Sequence, residues 1–155
     1  MSKLLETTLK NFTHTRQDRP PIRLRNYPHL IGGDSELWDK FLVKNPSFFE
    51  AVSYDVRVGE GMVLAGEWSQ EIADMAKTLS QRRIDVIAER AGYIWLIELK
   101  VDPGVSLIGQ LEAYKILFLK ELEKPVLIQM FTIINRTSPD LTTVLNEKNI
   151  RFEII

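Results

Sequence analysis

The sequence predicts an α/β fold in which helices flank a central mixed β-sheet. Apolar runs of strand length recur in the second half of the chain, at residues 84–89, 93–101 and 126–134. Amphipathic helical patterns alternate with these runs, as expected of helices that pack on a sheet. The chain has 155 residues, of which 45% are hydrophobic and 26% charged. That composition is typical of one globular domain with a sizeable core.

Residues 1–33 differ in composition from the rest of the chain. They hold six basic residues against two acidic ones, a net charge of +4, whereas the whole chain carries −1. They also contain Pro20, Pro21 and Pro28, and proline disfavours regular structure. We therefore predict a basic, extended N-terminal arm over residues 1–33 and a folded domain over residues 34–155. The arm either contacts phosphates, or it is a solvated arm or one that docks on a second copy of the chain.

The folded domain begins with a helix predicted over residues 36–43, for which Asp34-Ser35 offers an N-cap. A strand is predicted over residues 48–58, because a glycine-containing turn follows it. A second helix is predicted over residues 67–80, where the apolar residues recur at helical spacing. These apolar residues are Trp68, Ile72, Met75 and Ala76.

Residues 93–101 are the clearest strand of the sequence. Ile94 and Leu96 lie on one face, and Trp95 and Ile97 lie on the other. Since both faces are apolar, we expect a central strand that is covered on both sides. The remaining elements are a helix over 105–123, a strand over 126–134, a helix over 138–149 with proline at its first position, and an outer strand over 150–155.

The composition excludes several classes of function. The chain has no cysteine, which excludes disulfides, cysteine-ligated zinc, iron–sulfur clusters and thiol catalysis. Its two histidines, His14 and His29, are too few for a histidine-rich metal site. No apolar run approaches the roughly 18–20 residues of a membrane span, and no signal-peptide core follows Met1. We expect an intracellular, cytoplasmic protein without a membrane partner.

Charged residues in the predicted central strand indicate a candidate functional site. An unpaired buried charge is costly, so a charge in such a strand needs a partner or a function. Glu98 and Lys100 share one face of that strand, and Asp85 lies in the preceding strand. If the turn between the strands contains an even number of residues, residues whose numbers sum to 183 face each other. Asp85 and Glu98 would then have Cβ atoms about 4.5–5.5 Å apart. A three-residue turn would shift this register unless a bulge restored it.

Two adjacent carboxylates repel each other unless a positive charge lies between them. A hard divalent cation such as Mg²⁺ or Mn²⁺ suits oxygen ligands, and a neighbouring lysine can polarise a phosphoryl oxygen or hold a water molecule. Asp85, Glu98 and Lys100 therefore suit a phosphodiesterase centre. The alternative is a salt-bridged cluster of these three residues at the end of a strand.

These residues resemble the signature of the PD-(D/E)xK nuclease superfamily. Residues 83–87 (Arg-Ile-Asp-Val-Ile) and 97–100 (Ile-Glu-Leu-Lys) carry the resemblance. Residues 109–114 (Gly-Gln-Leu-Glu-Ala-Tyr) are similar to the helix that follows the signature in many members. Upstream, residues 36–46 are similar to the first helix of the NucS-like branch. The resemblance implies a restriction-endonuclease-like α/β fold.

The resemblance also implies roles for individual side chains. Asp85 and Glu98 would bind Mg²⁺ or Mn²⁺, Lys100 would be the catalytic lysine, and Glu36 would be an accessory acid. Gln110 and Tyr114, four residues apart on one helix face, would support the site. The sequence departs from the pattern in having Arg82 where a glycine often stands. The segment before Asp85 is also longer, so Glu67 or Glu71 could replace Glu36.

We therefore expect a magnesium-dependent endo- or exodeoxyribonuclease, with DNA favoured over RNA. The basic residues expected to contact nucleic acid are Arg16, Arg19, Arg23, Arg25, Arg82 and Arg83. One alternative is a non-cleaving nucleic-acid-binding or assembly component of a viral or mobile-element complex. Another is a structural protein whose arm mediates oligomerisation. The sequence leaves open whether the chain forms a homodimer through the arm or the outer strand. It also leaves open whether the nucleic-acid substrate is single- or double-stranded, and whether it is a flap, a mismatch or a junction.

Overall fold

The structure is a computed structural model that describes residues 3–155. In this range the helices are α1 (Leu4–Thr8), α2 (Gly32–Lys44), α3 (Gln70–Ser80), α4 (Ser106–Glu121) and α5 (Pro139–Glu147). The strands are β1 (Arg16–Asp18), β2 (Ala51–Val58), β3 (Arg82–Arg90), β4 (Tyr93–Lys100), β5 (Leu127–Ile134) and β6 (Arg151–Ile154).

The six strands form a mixed sheet in the order β1-β2-β3-β4-β5-β6. The strands from β1 to β4 are antiparallel neighbours, whereas β4, β5 and β6 run parallel to one another. This arrangement confirms the predicted α/β class with a central mixed sheet. The sheet contains β1 in addition to the strands predicted from the sequence, because β1 lies in the stretch predicted to be an arm. The outer position of β6 was predicted correctly.

Helices cover both faces of the sheet. On one face, residues of α1, α4 and α5 pack against the sheet in what we call the first core. On the other face, α2 packs against it in the second core, which is rich in aromatic rings. Strand β4 places Ile94 and Leu96 in the first core and Trp95 and Ile97 in the second. The prediction of a central strand covered on both sides is confirmed.

Residues 4–33 do not form the extended arm that their composition predicted. Leu5, Leu9 and Phe12 are buried in the first core, while Tyr27 and Leu30 are buried in the second. Strand β1 pairs antiparallel with β2. The apolar side chains scattered among the basic residues and prolines of this stretch are sufficient to dock it on the sheet, because each buried one contributes roughly 1.5–3 kcal/mol.

Two of the helices differ from the sequence prediction in an informative way. Helix α2 begins at Gly32, so Asp34 lies in its first turn rather than at the N-cap. Helix α3, predicted over residues 67–80, begins at Gln70 with Ser69 as its N-cap, and none of its residues is buried. Trp68, Ile72 and Met75 of its predicted apolar stripe are exposed. No helix between residues 3 and 155 combines the length and the apolar character needed to span a membrane.

The hairpin between β3 and β4 has the register that the sequence predicted for an even turn. Arg90 pairs with Tyr93, so the loop consists of Ala91 and Gly92 alone. Both loop residues have positive φ, +50° and +79°, as a type I′ turn requires. The pairs along the hairpin keep the sum of 183 as far as Val86 and Ile97.

Candidate active site

Asp85 and Glu98 lie where the pairing of β3 with β4 ends. The last pair is Val86 with Ile97, and the two acids are the next residues on their strands. There the Oδ2 atom of Asp85 accepts a hydrogen bond of 3.0 Å from the backbone N–H of Leu99. The Asp85 side chain thus occupies a place that a strand carbonyl would otherwise take, and it is held beside β4.

The regular alternation of side chains also reverses at this point of the sheet. On β2, Tyr54 packs in the second core and Val56 in the first, although residues two apart normally share a face. Strand β3 changes face in the same way at Asp85, since Ile84 packs in the first core and Val86 in the second. The facing residue on β2 is Asp55, which has a φ of +56°. Such local irregularities redirect side chains, and here they coincide with the acidic pair.

Burial and mutual repulsion make it costly for both acids to be ionised. Burial, the charge of Asp85 and a hydrogen bond to Asp85 raise the pKa of Glu98, which is 6% exposed, to about 9. Burial raises the pKa of Asp85 to about 6, although the hydrogen bond from Leu99 acts in the opposite direction. The Oε2 atom of Glu98 is buried without a hydrogen-bond donor. A shared proton or a cation would satisfy the pair.

A third carboxylate, Asp34, approaches the pair from the first turn of α2. Its charge raises the pKa of both Asp85 and Glu98. Its Oδ1 atom accepts a hydrogen bond of 3.3 Å from the backbone N–H of Val101, directly after β4. The preceding residue is Gly33, where a Cβ atom would overlap a methyl group of Val101. Glycine at this position therefore allows the helix to approach the end of the strand.

The structure places Asp34, not Glu36, beside the acidic pair. Glu36 is exposed on α2, and Glu67 and Glu71 are exposed before and within the first turn of α3. None of these three is among the charges that shift the pKa of Asp85 or Glu98. The sequence analysis assigned Asp34 to a helix cap. The signal in the sequence for a place beside the acids is Gly33, whose missing side chain allows α2 to approach Val101.

Lys100 and two residues of α4 complete the surroundings of the acids. The charge of Lys100 lowers the pKa of both Asp85 and Glu98, so it acts as their local counter-charge. On α4, Gln110 hydrogen-bonds to the hydroxyl of Tyr114, whose pKa is raised by burial and by the two carboxylates. The structure therefore brings together five of the predicted site residues and adds Asp34 to them. The five are Asp85, Glu98, Lys100, Gln110 and Tyr114.

Most of the arginines expected to contact nucleic acid are engaged within the protein. Four of them form ion pairs with carboxylates: Arg16 with Asp18 at 2.9 Å, Arg19 with Glu89 at 2.7 Å, Arg23 with Asp39 at 2.6 Å and Arg83 with Asp55 at 2.6 Å. Within residues 3–155, Arg25 and Arg82 have no carboxylate at ion-pair distance, and both are exposed. The charge of Arg82 also acts on Tyr114, which places it near the site.

The donor set at the site suits a hard divalent cation. In the part of the chain that the structure describes, no group of three or more histidine, aspartate and glutamate side chains is arranged to hold a metal ion. Mg²⁺ is commonly bound by one or two carboxylates, with water and phosphate oxygens filling its other positions. Asp85 and Glu98 supply two such carboxylates, and the unpartnered Glu98 Oε2 provides a free oxygen.

Comparison with known proteins adds one structural likeness. No protein-family model and no curated protein matches the chain. Among solved structures, the chain is similar to one described as "Structure of EndoMS-dsDNA2 complex", with 16% sequence identity and a TM-score of 0.45. The match covers 86% of this chain and 49% of the other. The chain thus spans about half the length of that relative.

Proposed function

We propose that this chain is a metal-dependent nuclease that hydrolyses phosphodiester bonds, with DNA favoured over RNA as its substrate. The observation that supports this most is the proximity of Asp85 and Glu98 just beyond the last β3–β4 pair, with a buried carboxylate oxygen of Glu98 that lacks a donor. Two buried, adjacent acids, one of which has an unpartnered oxygen, lower the stability of the folded protein. A site that binds a cation and a phosphate would account for their presence.

In this proposal each side chain has a separate task. Asp85 and Glu98 hold Mg²⁺ or Mn²⁺, which, when bound, supplies Lewis-acid stabilisation of the phosphate and a more acidic water. Lys100 donates hydrogen bonds to a non-bridging phosphate oxygen or to the attacking water. Asp34 adds negative charge that favours cation binding. Gln110 holds the hydroxyl of Tyr114 at the edge of the site, and Arg82 offers a cation to the phosphate backbone.

The test is a cleavage assay on single-stranded, duplex, flap and junction DNA and on RNA, with Mg²⁺, Mn²⁺ or EDTA. We expect cleavage by the wild-type protein only with the metal ion, and none by the Glu98→Gln variant. The matched control is Glu36→Gln, which changes an exposed acid of α2 and should cleave normally.

Retained cleavage by a pure, folded Glu98→Gln protein would refute the assignment. Absence of cleavage on every substrate, combined with binding of nucleic acid, would instead favour a non-cleaving binding or assembly component. Symmetric, concerted cleavage of both strands of a duplex would call for two copies of the chain, which sedimentation of the protein with its substrate would show.

A further inference from the structure

A second candidate site lies on the opposite face of the sheet from the acidic pair. Glu98 and Lys100 share the face of β4 that packs in the first core, whereas Trp95 lies on the face of the second core. Beside Trp95 there is an open cavity of about 690 Å³, a size typical of small-molecule sites. Phe48, Trp95 and Phe131 form its aromatic wall, and Asn146 and Asn149 add carboxamide groups.

The indole N–H of Trp95 has no hydrogen-bond partner. The Trp95 side chain is buried, with 5% exposure. The other two tryptophans satisfy theirs, since Trp38 donates to the Tyr54 hydroxyl at 2.9 Å and Trp68 to the Ala65 carbonyl at 2.7 Å. Buried donors without partners are rare, because each costs roughly 1–3 kcal/mol. The unpartnered N–H therefore makes Trp95 a costly residue in the wall of the cavity.

Two arginines lie at the end of the cavity nearest the hairpin. A smaller cavity of about 260 Å³ adjoins the first one, shares Trp95 with it and is flanked by Arg90 and Arg151. The guanidinium of Arg151 lies 5.5 Å from the Trp95 ring, and that of Arg90 lies 3.5 Å from the Phe48 ring. Neither arginine forms an ion pair with a carboxylate of residues 3–155. Their charges are therefore available to an anion.

The one acid on these walls is already neutralised. Glu153 lines the larger cavity, and its Oε1 atom lies 3.1 Å from the ammonium of Lys44 and accepts a hydrogen bond of 3.1 Å from Asn45. The smaller cavity has no acidic residue in its wall. An incoming phosphate would thus meet two cations, while Glu153 is held by Lys44 and Asn45, and Glu50 beside the hairpin accepts a hydrogen bond of 3.2 Å from the backbone N–H of Ala91.

We propose that the two joined cavities bind a nucleotide unit. Its base lies against the aromatic wall that contains Trp95, and its phosphate lies between Arg90 and Arg151. Planar bases stack on aromatic side chains with little sequence preference, and arginine recognises phosphate through charge-assisted hydrogen bonds. The nucleotide is either a free mononucleotide or one residue of a single strand. This site rests on its own geometry and not on cleavage at Asp85 and Glu98.

The test follows the three indole N–H signals of ¹⁵N-labelled protein in EDTA, with the Trp95 signal assigned through Trp95→Phe. The probes are thymidine 5′-monophosphate, a thymidine pentanucleotide and inorganic phosphate. We expect both nucleotide probes to shift the Trp95 signal and to leave the signals of Trp38 and Trp68 unchanged. Equal affinity for the two probes identifies a mononucleotide site, whereas tighter binding of the pentanucleotide identifies a single-strand site.

Variants separate this site from the acidic pair. Arg90→Ala and Arg151→Ala should each weaken binding of the monophosphate about tenfold, while Lys120→Ala, which removes an exposed cation of α4, should not. Glu98→Gln should bind as the wild type does, so loss of cleavage and loss of nucleotide binding are distinguishable. A Trp95 signal that no nucleotide shifts at millimolar concentration, or that inorganic phosphate shifts equally, would overturn the proposal.

Discussion

Replacement of Glu98 by glutamine should change how the free energy of unfolding depends on pH. In the folded protein, burial and the neighbouring Asp85 raise the pKa of Glu98 from its ordinary value of 4.5 to about 9. Between these two pH values the folded state holds a proton that the unfolded chain has released. The free energy of unfolding of the wild-type protein therefore contains a contribution that decreases as the pH rises through this window.

The size of the effect follows from the number of protons. Above pH 6 Asp85 has lost most of its proton, so the folded pair retains about one more proton than the unfolded chain. One proton corresponds to a slope of about −1.4 kcal/mol per pH unit, or about 3 kcal/mol between pH 6.5 and 8.5. Glutamine cannot release a proton, so the variant loses this slope. His14, whose pKa is lowered by burial, contributes equally to both proteins and cancels in the difference.

The assay is urea unfolding followed by circular dichroism in EDTA at pH 6.5, 7.5 and 8.5. We expect Glu98→Gln to gain stability relative to the wild type at each step toward higher pH, and Glu36→Gln to follow the wild type. If the wild-type protein and Glu98→Gln changed in parallel over this range, Glu98 would be ionised in the folded state at neutral pH. The reasoning about the acidic pair would then be refuted.

Three further predictions concern single side chains. Lys100→Met should bind Mn²⁺ as the wild type does but lose cleavage. Titration with Mn²⁺ measures the first quantity and single-turnover kinetics the second. Weakened Mn²⁺ binding would contradict a role for Lys100 at the phosphate. Asp34→Asn should weaken Mn²⁺ binding about tenfold, and Glu36→Gln should not; equal effects would contradict the placement of Asp34. Arg83→Ala should lower the free energy of unfolding by about 3–5 kcal/mol, because it leaves the buried Asp55 without its cation. A loss below about 1 kcal/mol in urea unfolding would contradict a stabilising role for this ion pair.

The hairpin that carries the acids could be predicted because local features determine it. Ala91-Gly92 suits a two-residue turn, and a two-residue turn fixes which residues face each other. The apolar residues on both faces of β4 then identified the strand as central, and the charges of Glu98 and Lys100 stood out within it. Signals confined to about fifteen consecutive residues were sufficient to predict the position of Asp85 and Glu98 on neighbouring strands.

The features that the sequence did not reveal depend on contacts between distant segments. Leu5, Leu9 and Phe12 carry no clear periodicity, and they become core residues only because the sheet and α4 lie against them. The pairing of Arg83 with Asp55 joins residues 28 positions apart at an irregular point of β2. Asp34 looked like a helix cap because its partner Val101 lies far along the chain.

The most direct test of the metal site is the binding of Mn²⁺ measured by electron paramagnetic resonance on the purified protein. We predict that the wild-type protein binds Mn²⁺, that Mg²⁺ displaces it, and that Asp85→Asn and Glu98→Gln each abolish the binding while Glu36→Gln retains it. Absence of bound Mn²⁺ in the wild type, or binding that persists in both site variants, would contradict the assignment. Asp85, Glu98 and Lys100 would then form a charged cluster at the end of the strand without a catalytic metal.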